Sequence, residues 1–359
     1  MKSFKHSLKH ICLCLFLVLP NITFAHVLPA QQEIVVQNEH ELSKALKIAN
    51  NQGHTKIMLR DGKYQLNNTI NIISPYVTLT SLSADPNKVQ IIGTGMRATK
   101  RVNNILRVAA PHFVLDGLTL QESGNHLIQI AGEQNADFPT LKNCILKDAY
   151  EQMVKVSYNR NTGIASDFGT IENCLFEYTK GIGPQYYIGG IDVHGGQDWL
   201  VQNNTFIAIA SPEKKIAEHA IHFWNNTQNI TVKGNTIINC DRGIGFGMPN
   251  RPNYGGLISD NLIIHANNNH PNADTGIGLE ESQGTVVKGN RIFLAQAYPN
   301  AIEYRFKQTT NVTIIDNQVN KFITSRNGGS ASLKSNKVVT DLSEMLSYQE
   351  LKKWQNYLR

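Results

Sequence analysis

Between residues 114 and 338 the chain repeats one short pattern of apolar and polar positions. The pattern is an apolar residue, two variable residues, a residue that is usually Asn, a variable residue and a second apolar residue. A fixed period predicts a repeat architecture. Short alternating segments separated by Gly, Asn and Asp predict a parallel β-helix, in which each turn, here called a rung, stacks on the last. The Asn-like position recurs mostly every 26 to 31 residues, with a last step of 19: Gly117, Cys144, Cys174, Asn204, Asn235, Asn261, Asn290, Asn317 and Asn336.

The repeated Asn predicts a ladder of side chains at one bend of every rung. Asn tolerates the left-handed backbone region, and its amide can bond the equivalent amide one rung away. Cys144 and Cys174 occupy this position in consecutive rungs. Stacked rungs bring Cα atoms to about 4.8 Å, which lies within disulfide reach. We predict buried, stacked free thiols there, with a disulfide as the alternative.

Two segments outside the repeat have helical patterns. Residues 39–51 follow Asn38, a capping residue, and place Leu42 and Ala45 on one apolar face. Residues 341–357 begin at Asp341 and are similarly amphipathic. We predict that both helices cover ends of the stack, where unpaired backbone groups would otherwise be open to solvent. The predicted fold is all-β: a single-stranded parallel β-helix of about ten rungs with short capping helices at both termini.

A second row of segments precedes the Asn motifs and alternates with period two. Such alternation is typical of a half-buried strand, so these segments should form one continuous parallel sheet. The inward residues are Ile128/Ile130, Val154/Val156, Ile191/Val193, Ile221/Phe223, Ile244/Phe246, Ile277/Leu279 and Ile302/Tyr304.

The outward residues of these strands form two columns, with neighbours one strand spacing apart. Histidines, a tryptophan, an aspartate and several glycines are found where an ordinary solvated strand face would have Thr, Ser, Lys and Gln. We interpret the columns as a groove for a polymer, with a solvated polar face as the alternative. One column is Gln129, Lys155, Asp192, His222, Gly245, Gly278 and Glu303; the other is Ala131, Ser157, His194, Trp224, Gly247, Glu280 and Arg305.

The stretch "EHAIHFW" contains Glu218, His219 and His222 within five residues. On a helix the two histidines would share a face and could bind one metal. On a strand an offset of three places them on opposite faces, so we predict that His219 is structural, facing the core or lying at the preceding bend. We therefore expect no dedicated metal and no cofactor. Ca²⁺ held by Asp192, Glu218 and Glu280 is the alternative.

Residues 1–25 are predicted to be a secretory signal, with a basic start, a short apolar stretch from Ile11 to Pro20 and small residues at Thr23-Phe24-Ala25. The formal charge of the 359-residue chain is +6 and falls to +3 without this segment's three lysines. A nearly neutral chain argues against nucleic acid as a partner. We expect a β-helix domain over 26–340, a helical segment over 341–359, and a secreted or periplasmic monomer without a membrane span.

The repeat, the ladder and the outward columns resemble secreted bacterial right-handed parallel β-helix proteins of the pectate-lyase-like superfamily. Among their activities, the segment Tyr187-Ile-Gly-Gly-Ile-Asp192-Val-His194 is similar to the Tyr-Gly-Phe-Asp-Pro-His motif of alginate (mannuronan) C5-epimerases. The resemblance implies that Asp192 and His194 form a catalytic pair. This chain departs from that motif at Val193, which replaces its proline, and at Gly195, which replaces an acid.

The candidate residues suit removal of the C5 proton from a uronic acid in a polysaccharide, by a lyase or a C5-epimerase. This chemistry needs a cation for the carboxylate, a base and an acid. Lys155 and Arg242 are candidate cations and His194 the candidate base, which Asp192 orients. The acid is His222 or a tyrosine, Tyr158 or Tyr187. The residues expected to bind sugar are Trp224, Glu218, Tyr187, Glu280, Glu303 and Arg305. The alternatives are a two-carboxylate glycoside hydrolase and a non-catalytic protein that binds glycan or serves the envelope.

Overall fold

Three long parallel sheets dominate the computed structural model, which describes residues 31–97, 101–183, 187–213, 215–266 and 273–358. The predicted signal peptide lies outside these residues. In each sheet the strands follow one another in chain order, as in a parallel β-helix of about ten rungs. The predicted fold class is confirmed. No helix in the described part of the chain is long and apolar enough to cross a membrane.

The first sheet has 12 strands. They are Gln32–Val36, Thr55–Leu59, Val77–Ser81, Val114–Asp116, Thr140–Lys142, Thr170–Glu172, Leu200–Gln202, Thr231–Lys233, Leu257–Ser259, Val286–Lys288, Val312–Ile315 and Ala331–Lys334. The second sheet has 11 strands. They are Gly62–Gln65, Val89–Ile92, Thr119–Ser123, Ile145–Ala149, Leu175–Glu177, Thr205–Ile207, Thr236–Ile238, Leu262–His265, Arg291–Leu294, Gln318–Val319 and Lys337–Val338.

The third sheet, called the site sheet below, has 10 strands and contains all the segments predicted to form one parallel sheet. Its strands are Ile70–Ile72, Leu106–Val108, Ile128–Ala131, Gln152–Ser157, Gly189–His194, His219–Trp224, Arg242–Phe246, Ile277–Glu280, Asn300–Arg305 and Phe322–Arg326. A fourth, three-stranded sheet follows at the C-terminal ends of central site-sheet strands: Thr227–Gln228, Asn253–Tyr254 and Ser282–Gln283.

The asparagine ladder is present, and its amides bond rung to rung. The side-chain oxygen of Asn261, for example, accepts from both the backbone N–H and the side-chain N–H of Asn235. The left-handed backbone position is not the ladder residue itself but the residue before it, such as Asn203 or Asp260. For the same reason Gly117, with φ of 68°, is aligned with Asn143 and not with the ladder.

At the N-terminal side of the ladder, cysteines occupy the positions of the asparagines. Cys174 donates its backbone N–H to the side chain of Asn204, and Cys144 donates its own to the Sγ of Cys174 at 3.4 Å. Cys144, Cys174 and Cys240 are buried free thiols. The predicted stacked thiols are therefore present, and burial raises the pKa of Cys240 well above its ordinary value.

The helix Glu39–Gln52 begins after Asn38, whose side chain accepts from the backbone of Glu41, and buries Leu42 and Ala45 at the N-terminal end of the described stack. The C-terminal segment contains a 3₁₀ turn at Leu342–Glu344 and the helix Tyr348–Trp354. The predicted C-terminal helix is present, but the prediction that it covers an end of the stack is wrong, because its segment packs on the outer side of the second sheet. The contacts form a small apolar cluster of Ile238, Leu262, Ile264, Val339, Met345, Leu346 and Trp354.

Candidate active site

The register of the site sheet confirms the first outward column. Its residues are partners on adjacent strands in the predicted order: Gln129, Lys155, Asp192, His222, Gly245, Gly278 and Glu303. In the second column, Ala131 pairs with Ser157, His194 with Trp224 and Glu280 with Arg305. The fold thus brings the predicted polar residues onto one face of one sheet.

The strand His219–Trp224 departs from the predicted alternation at its start. Ala220 and Ile221 are consecutive, yet both are fully buried in the core. Two successive inward residues shift the alternation by one position, so His219 lies on the outward side together with His222. Their ring centroids are 4.5 Å apart. The prediction that these histidines lie on opposite faces is wrong. The argument that they cannot share a metal ion therefore no longer holds.

His219 also occupies part of the predicted glycine floor. A Cβ added to Gly245 would come 2.7 Å from Nε2 of His219, and one added to Gly278 would come 3.8 Å from the same atom. These glycines therefore provide the space for an imidazole ring, which covers floor that the sequence suggested was open. Arg242 is the strand partner of His219 and continues this outer row.

Lys155, Asp192, His194 and Trp224 form one hydrogen-bonded cluster, called here the lysine cluster. The ammonium of Lys155 donates to the carboxylate of Asp192, and its Nζ lies 2.8 Å from Nε2 of His194. The indole N–H of Trp224 donates to the other oxygen of Asp192 at 2.5 Å. Asp192 thus links Lys155 and Trp224, which come from the strands on either side of its own.

These contacts define the protonation of the His194 ring. An ammonium can only donate, so Nε2 of His194 presents a lone pair to Lys155 and its proton lies on Nδ1. The side-chain nitrogen Nδ2 of Asn225 lies 2.8 Å from Nδ1. Because both atoms would then be donors, we assign the amide in the opposite orientation, in which its oxygen accepts the Nδ1 proton. Asn225, directly after the strand, is a site residue that the column pattern missed.

The side chains of the lysine cluster differ in how far they are exposed to solvent. The side chain of Asp192 is 4% exposed, whereas those of Lys155 and His194 are 19% and 17% exposed. Burial alone would raise the pKa of Asp192, but the ammonium of Lys155 outweighs it and holds the pKa well below the usual range. Burial lowers the pKa of His194, an effect that Asp192 only partly offsets. At neutral pH His194 is therefore an uncharged base that reaches solvent beside a cation.

Trp224 packs against protein groups on its ring. The ring of His222 is parallel to it at 5.3 Å, and the guanidinium of Arg251 lies 4.7 Å from its centroid. Arg251 lies outside the predicted columns, in the loop after the next strand, Arg242–Phe246. With its N–H bonded to Asp192, Trp224 supports the cluster, and it has less free ring surface for a sugar than the sequence suggested.

Glu218, His219 and His222 form a second cluster, the Glu–His–His cluster. Oε2 of Glu218 is 3.5 Å from Nδ1 of His219 and 3.4 Å from Nδ1 of His222. Burial lowers the pKa of His219 to about 3. Burial also acts to lower the pKa of His222, but the Glu218 carboxylate outweighs it and raises that pKa. Within the described residues, this is the group of three His, Cys, Asp or Glu side chains close enough to share a metal ion.

His222 is only 4% exposed, and its Nε2 lies 3.1 Å from the carbonyl oxygen of Gly247. His222 is therefore an outward residue, as its column predicts, but it is buried. Side chains and the loop beyond the sheet cover it, although it points away from the core. The outward direction of a strand residue does not by itself expose that residue in this sheet.

A small cavity of about 60 Å³ adjoins the Glu–His–His cluster. Its far wall is built from ion pairs: Arg305 with Glu280, and Arg326 with the carboxylate of Glu303 at 2.9 Å. Glu303 is 2% exposed and also accepts from Tyr298 at 2.5 Å. The cavity is lined by Glu218, His219, His222, Arg242, Gly247, Met248, Asp274, Thr275, Gly278, Glu280, Glu303 and Arg305.

Two predicted residues lie at the edges of this arrangement. Arg242 lines the cavity, and its Nε is 3.5 Å from a carboxylate oxygen of Asp274. Tyr187 is 46% exposed and precedes the strand that contains Asp192. Tyr158 lies nearer the chemistry, since its ring centroid is 6.3 Å from that of His194.

Solved structures with the same architecture are parallel β-helix proteins. An alginate lyase from Paenibacillus sp. str. FPU-7 is 15% identical, with a TM-score of 0.57 over 86% of this chain and 99% of that one. A polygalacturonase from Erwinia carotovora ssp. carotovora is 12% identical, with a TM-score of 0.54 over 87% and 94%. The A-module of a mannuronan C-5 epimerase from Azotobacter vinelandii is 11% identical, with a TM-score of 0.50 over 87% and 96%.

These similarities establish the fold: the chain is a parallel β-helix, as these proteins are. At such low identity they extend to architecture alone. No protein-family model and no curated protein sequence matches the chain.

Proposed function

We propose that this protein is a secreted enzyme that removes the C5 proton of a uronic acid within an acidic polysaccharide, as a lyase or a C5-epimerase. The observation that carries the proposal is the lysine cluster: a neutral, partly exposed histidine held beside an ammonium on the open side of a β-helix sheet. The names of two structural neighbours, an alginate lyase and a mannuronan C-5 epimerase, favour the same chemistry.

Lys155 is suited to bind the substrate carboxylate. Its ammonium has three N–H donors, of which Asp192 and His194 take two. The third is available to a carboxylate approaching from solvent. A cation at the carboxylate stabilises the negative charge that develops when the neighbouring C5 proton leaves, which is the main requirement of this reaction.

His194 is suited to be the base. Its Nε2 carries a lone pair, and burial keeps the ring neutral at a pH where an exposed histidine would be partly protonated. When the substrate carboxylate draws Lys155 toward itself, Nε2 is released to accept the C5 proton. Asp192 is too buried to touch substrate and acts as a positioning residue that holds Lys155 and Trp224.

Tyr158 suits the acid better than His222 does. Tyr158 is half-buried next to His194, and a Cβ on Gly195 would come 2.6 Å from its ring, so the glycine makes room for it. His222 is buried and its Nε2 faces a backbone carbonyl. Tyr158 would protonate the leaving oxygen in elimination, or return a proton to C5 in epimerisation.

The test is incubation of the purified protein with alginate, pectate, glycosaminoglycans and neutral glycans. Ultraviolet absorbance of an unsaturated uronate identifies a lyase. Exchange of the C5 proton with deuterated solvent without chain cleavage identifies an epimerase. Activity on neutral glycans alone, or no activity on any substrate, contradicts the proposal and favours a hydrolase or a non-catalytic glycan-binding protein. Parallel assays with and without EGTA test whether Ca²⁺ contributes.

The matched variants are His194→Ala and His40→Ala. His194→Ala should lower kcat by at least 100-fold, since a positioned general base contributes about 10²–10⁴-fold. His40 is exposed on the N-terminal helix, so its variant should keep full activity. Equal activity of both variants would exclude His194 as the base.

A glycoside hydrolase is the second candidate, and the carboxylates support it less well. Asp192 and Glu303 are buried and bonded to cations, which leaves neither free to protonate a leaving oxygen. Glu280 is the exception, because burial raises its pKa, although Arg305 opposes that effect. Formation of reducing ends without an unsaturated product would favour this candidate.

A further inference from the structure

The Glu–His–His cluster contains two buried polar atoms without a hydrogen-bond partner. They are Oε2 of Glu218 and Nδ1 of His219. Buried polar atoms are rarely left unpaired, and an ion is one recognised explanation. Oε2 of Glu218 is 3.5 Å from Nδ1 of His219 and 3.4 Å from Nδ1 of His222, and one possible ligand atom from each residue lies within 4.8 Å of the others.

The environment of each histidine leaves Nδ1 ready to coordinate. Nε2 of His222 faces the carbonyl oxygen of Gly247 at 3.1 Å, so in the neutral ring the proton lies on Nε2 and Nδ1 holds the lone pair. A backbone carbonyl on the second nitrogen is the usual support for a metal-binding histidine. His219 lies over Gly245, whose missing side chain provides the space for its ring.

We propose that Glu218, His219 and His222 bind one divalent cation of the zinc class. Four ligands at about 2.0–2.1 Å in a tetrahedron are separated by roughly 3.3–3.4 Å. The carboxylate-to-imidazole separations of 3.5 and 3.4 Å match this spacing. Two imidazoles favour Zn²⁺, Cu²⁺, Ni²⁺ or Co²⁺, whereas Ca²⁺ and Mg²⁺ prefer sites built from oxygen alone.

The fourth ligand position would face the adjoining cavity of about 60 Å³, which exceeds the ~15 Å³ that a water molecule needs. Three protein ligands with an open fourth position are typical of a reactive, not a structural, zinc site. The binding inference is independent of the proposed enzymatic activity, since it rests on residues outside the lysine cluster.

The experiment is metal titration of the full protein after removal of metals with EDTA and dialysis. Calorimetry should show one equivalent of Zn²⁺ bound, with no competition from excess Ca²⁺ or Mg²⁺. Co²⁺ should give the visible absorption bands of a four-coordinate site, a measurement that does not depend on activity. Failure to bind Zn²⁺ stoichiometrically would overturn the inference.

Substitutions of the proposed ligands test whether these residues bind the metal. Glu218→Gln keeps the size of the side chain and should weaken Zn²⁺ binding by roughly 100-fold or more, because loss of outer-shell partners alone costs about 10–100-fold. His219→Asn should do the same. The matched control is His126→Asn: His126 is buried and its Nδ1 already faces the carbonyl of Gln152 at 3.0 Å, so binding should be unchanged.

Circular dichroism and the melting temperature of each metal-free variant establish that it is folded, and Glu218→Gln provides the decisive result if a histidine variant unfolds. In the wild type, Zn²⁺ should raise the melting temperature, since a ligand that binds the folded state stabilises it. Zn²⁺ binding that survives in Glu218→Gln with unchanged affinity would assign the metal to other groups and overturn the inference.

Discussion

The ion pair between Lys155 and Asp192 offers a quantitative test of the site. Replacing Lys155 with Met removes the ammonium and leaves a carboxylate that is 4% exposed. Breaking one partner of a buried pair costs ~3–5 kcal/mol. Trp224 still donates to Asp192 at 2.5 Å, and Lys155 is itself partly hydrated, so we expect the lower end, about 3 kcal/mol.

Adding Asp192→Asn should recover part of this loss, because an amide needs no counter-ion. We expect about 1 kcal/mol for Asp192→Asn alone and about 2 kcal/mol for the double variant, which gives a coupling of about 2 kcal/mol, within the range for contacting residues. Urea unfolding followed by tryptophan fluorescence measures all four proteins. A cost below about 0.5 kcal/mol for Lys155→Met, as at an ordinary surface position, or strict additivity would refute the reasoning.

The pH dependence of the same variants has a defined sign. In the wild type the pKa of Asp192 is depressed, so its contribution to stability is complete above the unfolded value of about 3.9 and is lost as the pH falls through the folded value. Without Lys155 the buried carboxylate takes up a proton more readily. The difference in unfolding free energy between wild type and Lys155→Met should therefore shrink toward pH 4. A constant difference from pH 7 to pH 4 would contradict this account.

Three further predictions concern the scaffold. Asn261→Leu should lower the unfolding free energy by about 3 kcal/mol, because it leaves the backbone N–H of Asn235 and the carbonyl of Val232 without buried partners. The control Leu120→Val changes the core without loss of a polar group and should cost less in the same urea assay. Gly245→Ala should lower the unfolding free energy by ~1–3 kcal/mol, since the added Cβ would displace the ring of His219. If the same loss is measured when His219 is also replaced by Ala, displacement of His219 is not the reason. Thiol titration of the protein without residues 1–25 should find three thiols after denaturation and slow reaction before it; fewer than three would indicate a disulfide.

The parts of the site that follow strict alternation could be predicted from the sequence. Once Ile191 and Ile221 are assigned to the core, Asp192 and His222 must be outward neighbours, and the register agrees. The position of His219 could not be found in this way. The chain enters the strand through a bend at which Ala220 and Ile221 both face the core, and a small residue there looks the same in the sequence as an outward one.

The burial of the outward residues also could not be predicted from the sequence pattern. Alternation shows which face of the sheet a side chain lies on, but not what covers that face. His222 is covered through contacts with Trp224 and Gly247, and Trp224 is in turn covered by Arg251 from a loop. A stack of rings at the bends, His54, Tyr76, His112, Phe138 and Phe168, was missed as well, because these residues recur outside the repeated Asn motif.

The asparagine ladder contains one hydrogen-bonded backbone amide in each rung that it joins, and each of these amides can report whether its own rung is open. From Cys174 to Asn317, each ladder residue donates its backbone N–H to the side-chain oxygen of the next rung. The ladder ends in thiols toward the N-terminus, where the backbone N–H of Cys144 donates to the sulfur of Cys174 and not to an amide oxygen. In a stack where each rung contacts only its neighbours, opening can spread from one end. Hydrogen–deuterium exchange at these six amides would therefore record the direction in which the solenoid unwinds, rung by rung.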